Sequence, residues 1–348
     1  MNIISKKKNF IPIIPTLRKY LKKEGREMKL GLVYSDLLEH QLATPLLDKK
    51  GKDTLWETVF YKPERTAGLN KALTFIYVML KNEGDFSSIE HLRVERIDYC
   101  AFGNSNPFRI RIVNNFNDNY DYFYIKTADA SRVYGLELEH LLSPNRISYY
   151  VDDNTLIEEH IAGIPGDMFI DTMLNTKQTN NVRLAKEFVK FNERCFVRLL
   201  GDMRSYNYVM DITPDFDDVQ YRIRAIDFDQ QCFEGRKNLY LPQYFKENLP
   251  LVELGMELMN ERTVKQYQAE ERSLIARRLI AARYRLKDLI DCMEEDTIST
   301  PEKVEQLGKD LAAHHKNDDF LAYEKMGAIL KLHLKMSLHQ HIRKMTSL

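Results

Sequence analysis

Two short runs in which apolar or aromatic residues recur at every second position constrain this chain most. They are Phe108-Arg-Ile-Arg-Ile-Val113 and Tyr120-Asp-Tyr-Phe-Tyr-Ile-Lys126, on either side of the turn-rich Asn114-Asn-Phe-Asn-Asp-Asn119. A period of two sends successive side chains to opposite faces, so the pair reads as an antiparallel hairpin. Val94 to Phe102 has the same strand character, and short strands are expected near Ile147–Val151 and Thr155–His160. A helix is expected after the hairpin and before these two strands, over about Ala130–Leu142. The spacing then lengthens: Leu184, Phe188, Phe191, Cys195 and Leu199 recur as on a helix. One more hairpin, Asn207–Ile212 with Val219–Phe228, interrupts, and beyond Pro250 nearly all is helical, with Pro301 opening a late helix. Residues before about Glu90 read as mixed, mostly helical structure, with Leu69, Leu73, Ile76, Tyr77 and Leu80 marking a packed helix. The class is therefore α+β. An N-terminal extension (1–90) precedes a small sheet with one helix (91–160) and a mostly helical region (161–348).

Composition excludes several alternatives. With 348 residues and 44% hydrophobic content, the chain can bury a sizeable core, so disorder is not expected. Lys and Arg number 51 and so do Asp and Glu, which argues against a globally basic nucleic-acid binder. Cys100, Cys195, Cys232 and Cys292 lie far apart and suggest neither a zinc site nor a disulfide framework. His314, His315, His333, His339 and His341 crowd the end of the chain and read as a solvated helix face. No signal peptide is visible, and no run approaches the roughly 18 apolar residues of a membrane span. A cytoplasmic protein is expected. Basic residues gather in the first 30 positions, an arm that would dock an acidic partner or membrane surface or simply be solvated.

The chemistry gathers in Leu200-Gly-Asp-Met-Arg-Ser-Tyr-Asn207 and Arg224-Ala-Ile-Asp-Phe-Asp229. If the second hairpin turns near Phe216–Asp217, Asn207 faces Asp227 at its open end, and Asp202 lies one short loop away. Hard oxygen ligands of this kind suit Mg²⁺. Phosphoryl transfer needs a carboxylate to take the acceptor hydroxyl's proton and a cation to offset charge on the phosphates. Asp202 would be the base, with Asn207 and Asp227 as metal ligands.

Gly201-Asp202 to Asn207, followed by Ile226-Asp227-Phe228, resembles the catalytic loop and metal-binding Asp of protein-kinase-like enzymes. The Gly-Asp form is closest to the aminoglycoside phosphotransferase and choline kinase branch, and phosphatidylinositol-type lipid kinases carry a similar pair. The resemblance covers about residues 91–235. It implies a bilobal fold, with a small antiparallel-sheet lobe carrying one key helix and a helical lobe. It also implies a strand lysine that positions ATP, matched by Lys126, and a glutamate on the next helix to hold it. Glu137 and Glu139 both have suitable spacing. Glu137 lies among Val133, Tyr134 and Leu141 on the apolar face, where a carboxylate needs a partner, so Glu137 is the expected one. Phe102-Gly103-Asn104-Ser105 resembles a phosphate-covering turn, though it lacks the full glycine-rich loop. Leu156 to Gly166 resembles the hinge, with backbone near Glu159–Ile161 meeting the adenine. Asp229 stands where protein kinases have Gly and would add a metal ligand or cap a turn, and Arg204 offers a cation beside Asp202.

The implied activity is transfer of the γ-phosphoryl group of Mg-ATP to a hydroxyl acceptor, preferably a small molecule. A protein or lipid acceptor, a nucleotide-binding scaffold without turnover, and AMP transfer are the alternatives.

Overall fold

A computed structural model describes residues 8–81, 85–102, 105–176, 179–215 and 218–346. The chain divides into two compact units, Met1–Asp129 with Ile147–His160, and Ala130–Arg146 with Ile161–Leu348.

The first unit carries helices α1 (Pro15–Lys23), α2 (Tyr34–Leu38) and α3 (Pro63–Lys81). Its strands are β1 (Leu42–Leu47), β2 (Asp53–Phe60), β3 (Leu92–Tyr99), β4 (Phe108–Asn114), β5 (Tyr120–Thr127), β6 (Tyr149–Asp152) and β7 (Thr155–Glu159). They form one antiparallel sheet in the order β1-β2-β3-β4-β5-β7-β6. The expected hairpin is β4 with β5, pairing Ile110 with Phe123. Phe108, Ile110 and Ile112 are buried, while Arg109 and Arg111 stand on the opposite face over aromatic rings. Leu69, Leu73, Ile76 and Leu80 of α3 join the core against Phe108, Ile110, Phe123 and Ile157. Burial of these side chains, at roughly 25 cal/mol per Å² of apolar surface, holds helix to sheet.

Two features of this unit differ from the sequence expectation. The mixed region before Glu90 holds two strands that its pattern did not place, β1 and β2, which extend the sheet. Pro45 masked β1, since proline interrupts a ladder. It is tolerated here because β1 is an edge strand with a register shift after Pro45. The residues after α1 are also stitched to β6, with Met28 N–H donating to Val151 O (3.1 Å) and Val151 N–H to Arg26 O (2.8 Å). Several residues of the basic arm have partners inside the unit: Lys8 pairs with Asp129, Arg18 with Glu27 and Lys29 with Asp152.

The second unit holds α4 (Ala130–Leu142), β8 (Ile164–Pro165), α5 (Gly166–Thr172), α6 (Asn181–Arg198), β9 (Tyr208–Asp215) and β10 (Asp218–Ala225). Helices α7 (Leu249–Leu258), α8 (Glu261–Ala281), α9 (Arg283–Glu295), α10 (Pro301–His315) and α11 (Met326–Thr346) follow. The strands form a sheet in the order β10-β9-β8. Asn180 caps α6 by accepting from Arg183 N–H, and Thr300 caps α10 with Pro301 in its first turn. Leu184, Phe188, Phe191 and Cys195 are buried as their spacing predicts.

Helix α4 belongs to this unit, whereas the sequence reading grouped it with the first sheet. Its packing gives the reason. Glu139 pairs with Arg198, Tyr134 Oη donates to Asp296 Oδ2 (2.9 Å), and Glu137 meets Arg285. These partners lie 59 to 162 residues away in the chain, and local spacing carries no sign of them. His314 and His339 are exposed as expected of a solvated face, but His333 is not. His333 is fully buried, its ring 2.9 Å from that of His315, with Nε2 at 3.0 Å from Phe196 O. No described helix is long and apolar enough to cross a membrane.

Candidate active site

The second unit brings the two acidic loops together. Helix α6 ends at Leu199, which takes a left-handed conformation (φ +54°) and turns the chain sharply. Gly201 N–H then donates to Gln230 O (3.2 Å), Asp202 N–H to Leu239 O (3.1 Å) and Cys232 N–H to Leu199 O (2.9 Å). Asp202 itself is left-handed (φ +56°), a conformation that costs an L-residue of order 1–2 kcal/mol. The surrounding hydrogen bonds hold it there. Strain of this kind at a carboxylate in a partly open loop is typical of functional positions.

Asn207 Nδ2 donates to Asp202 O (2.7 Å), closing the loop on itself, and Ile226 N–H donates to Asn207 O (3.0 Å). The register corrects the sequence reading. Tyr208 faces Ala225, so Asn207 faces Ile226 and not Asp227. The pair between Asp215 and Asp218 agrees with the expected turn position, and counting back from it sets Asn207 against Ile226, one residue from the expected partner. A one-residue shift changes the face a side chain occupies. Asp227 is therefore positioned by the turn after β10. There, Asp229 N–H donates to Asp227 Oδ1 (3.0 Å) and Ser131 Oγ donates to Asp229 O (3.0 Å).

Each acidic residue has a cation. Arg204 Nε donates to Asp202 Oδ1 (2.8 Å) and its Nη1 to Glu247 Oε1 (2.9 Å), with the guanidinium over the Phe245 ring. Burial raises the Asp202 carboxyl above its ordinary value, Arg204 works against this, and Glu234 and Glu247 add to it. Arg132, in the first turn of α4, donates from Nη1 to both Asp227 Oδ1 and Asp229 Oδ1 at 2.9 Å, and from Nη2 to Ile226 O at 3.3 Å. Its side chain is only 2% exposed.

The other expected residues are distributed as follows. Lys126, on β5 in the first unit, is buried and pairs with Glu158 Oε2 at 3.0 Å. Glu137 is fully buried and receives two bonds from Arg285 Nη2, at 2.9 and 2.8 Å. Lys126 and Glu137 thus each have a partner within their own unit. Ser105 is half-buried before β4, and Gly103 and Asn104 lie outside the described residues. Glu159 accepts from Ser148 N–H (2.8 Å), and the chain passes between units just before the buried Ile161.

Sequence reasoning missed Arg132, Glu158, Glu247 and Arg285. One signal for Arg132 was available. A charged residue among Ala130, Val133, Tyr134 and Leu136 on an apolar helix needs carboxylates to be buried.

Asp227 and Asp229 offer hard oxygen donors, but Arg132 holds Oδ1 of each, so this donor set does not fit Mg²⁺ as it stands. Among the described residues, no three His, Cys, Asp or Glu side chains are gathered as a metal site.

No family model matches the chain, and no curated protein matches it. Among solved structures, one of titin kinase and its flanking domains is similar at 11% identity. The match covers 71% of this chain and 54% of that chain, at a TM-score of 0.24. This chain thus spans about half of that chain's length. A likeness this slight carries no argument about fold or activity.

Proposed function

We propose that the chain binds ATP and transfers its γ-phosphoryl group to a hydroxyl acceptor, preferably a small molecule. One observation carries the reading. The Asp202 loop and the Asp227 loop are joined by the Asn207–Ile226 and Gly201–Gln230 bonds, and the first of these loops presents a strained, partly exposed carboxylate. In this reaction the acceptor oxygen attacks the γ-phosphorus, the bond to the ADP oxygen breaks, and Asp202 takes the acceptor's proton. The raised Asp202 carboxyl suits that role, since a base works best when its pKa approaches the working pH. Arg204 keeps Asp202 oriented and supplies positive charge where charge develops. Lys126 is the proposed phosphate contact in the first unit.

A second reading, nucleotide binding without transfer, is favoured by the arginines on Asp202, Asp227 and Asp229. Thermal stabilisation by ATP and ATP turnover over a panel of hydroxyl acceptors separate the two. Transfer in the wild type, lost in Asp202→Asn with ATP binding kept, supports phosphotransfer. Binding without turnover across metabolite, protein and lipid acceptors supports the second reading, and adenylate on the acceptor would identify AMP transfer. No response to ATP refutes both.

A further inference from the structure

We infer that Arg132 fills the divalent-cation position of this site, so that the chain itself supplies positive charge to Asp227 and Asp229 and binds the nucleotide without Mg²⁺. The nucleotide half of this inference rests on the function proposed above; the cation half stands on geometry alone. Two carboxylates two residues apart fold toward one point and need a positive charge between them. The Arg132 guanidinium supplies it, with one nitrogen at 2.9 Å from an oxygen of each. Its second nitrogen reaches Ile226 O, so the group is fixed at three points on the same loop.

This arginine is not a surface side chain free to swing aside. Its side chain is 2% exposed and projects from α4, a helix tied down along its length. Ser131 Oγ donates to Asp229 O and Gln231 O, Glu137 is held by Arg285, and Glu139 by Arg198. Withdrawing the guanidinium would leave a buried permanent charge without these carboxylates. Mg²⁺ demands near-octahedral oxygen ligands at about 2.1 Å and surrenders its waters reluctantly. An ion on these carboxylates would stand beside the fixed guanidinium in a partly buried site, where like charges repel strongly.

Two measurements on the full chain test this. The first is Mn²⁺ uptake, followed by the electron paramagnetic resonance signal of free Mn²⁺, in wild type, Asp227→Asn and Arg132→Gln. Wild type should take up no Mn²⁺ at this site, and Arg132→Gln should bind it at least roughly tenfold more tightly. Uptake by wild type that disappears in Asp227→Asn overturns the inference, as does a folded Arg132→Gln that binds no better than wild type. If circular dichroism shows Arg132→Gln unfolded, the comparison of wild type with Asp227→Asn decides the cation half. The second is thermal stabilisation by ATP in EDTA and in Mg²⁺. Equal shifts support the nucleotide half, and a shift that requires Mg²⁺ overturns it. No shift in either buffer refutes the ATP reading itself, while the Mn²⁺ result still decides what holds the carboxylates.

Discussion

Replacing Gly135 with alanine should loosen the acidic loop from helix α4, although alanine is the better helix former. A Cβ at Gly135 would sit 2.9 Å from Phe228 Cβ and 3.2 Å from both Gln231 Cβ and Phe228 O. None of these atoms can move by a side-chain rotation, so helix and loop must separate by a few tenths of an ångström. Overpacking of this sort costs about 1–3 kcal/mol, against a helix-propensity gain of about 1 kcal/mol. The net expectation is a loss of roughly 0–2 kcal/mol. Gly255 in α7 is the control within the same unit. A Cβ there meets only Met259 Cε at 3.6 Å, an ordinary contact, so Gly255→Ala should gain about 0.5–1 kcal/mol. Equilibrium urea unfolding of the two variants measures the difference, which should be about 1–3 kcal/mol. Arg132 lies three residues before Gly135, and Phe228 stands between Asp227 and Asp229, so the displacement should also weaken the Arg132 bonds. Gly135→Ala as stable as Gly255→Ala would refute the claim that close packing positions the loop.

Three further outcomes are expected. Arg198→Met strands the buried Glu139 carboxylate and should cost about 3–5 kcal/mol, with part regained when Glu139→Gln is added; equal losses in single and double variants would argue against a coupled pair. Arg198 holds the Glu139 carboxyl below its ordinary value despite burial, so that stabilisation is present above the ordinary value and is lost as pH falls through the depressed one. Burial pushes His333 down to about 3, so between 6.5 and about 3 the unfolded chain holds a proton that the native chain excludes. Stability should therefore fall with pH below 6.5, by about 1.4 kcal/mol per unit from this residue, and urea unfolding of His333→Asn should show a shallower slope. If phosphotransfer is observed, its rate should rise with pH as Asp202 loses its proton, with the acid limb above the ordinary aspartate value of 3.8; a limb at or below that value would remove Asp202 as the base.

Local pattern determined the elements whose cause is local. Period-two alternation placed β4 and β5, and 3.6-residue spacing placed α3 and α6, because one buried face is enough to specify either. Caps at Asn180 and Thr300 were likewise written beside the helices they start. The β1–β2 hairpin escaped because Pro45 breaks the strand pattern, and only the edge position of β1 makes it tolerable. At the site, the order of Asp202, Asn207, Asp227 and Asp229 was apparent from residue types and turns, since each lies in a loop next to a strand or helix end. Their partners were decided by tertiary structure. A buried charge requires an opposite one, but nothing local says from which part of the chain it comes. Arg132 reaches Asp227 across 95 residues, Arg285 reaches Glu137 across 148, and Arg198 reaches Glu139 across 59. Residue types could nominate an acidic site, and only the fold could place an arginine where a metal was expected.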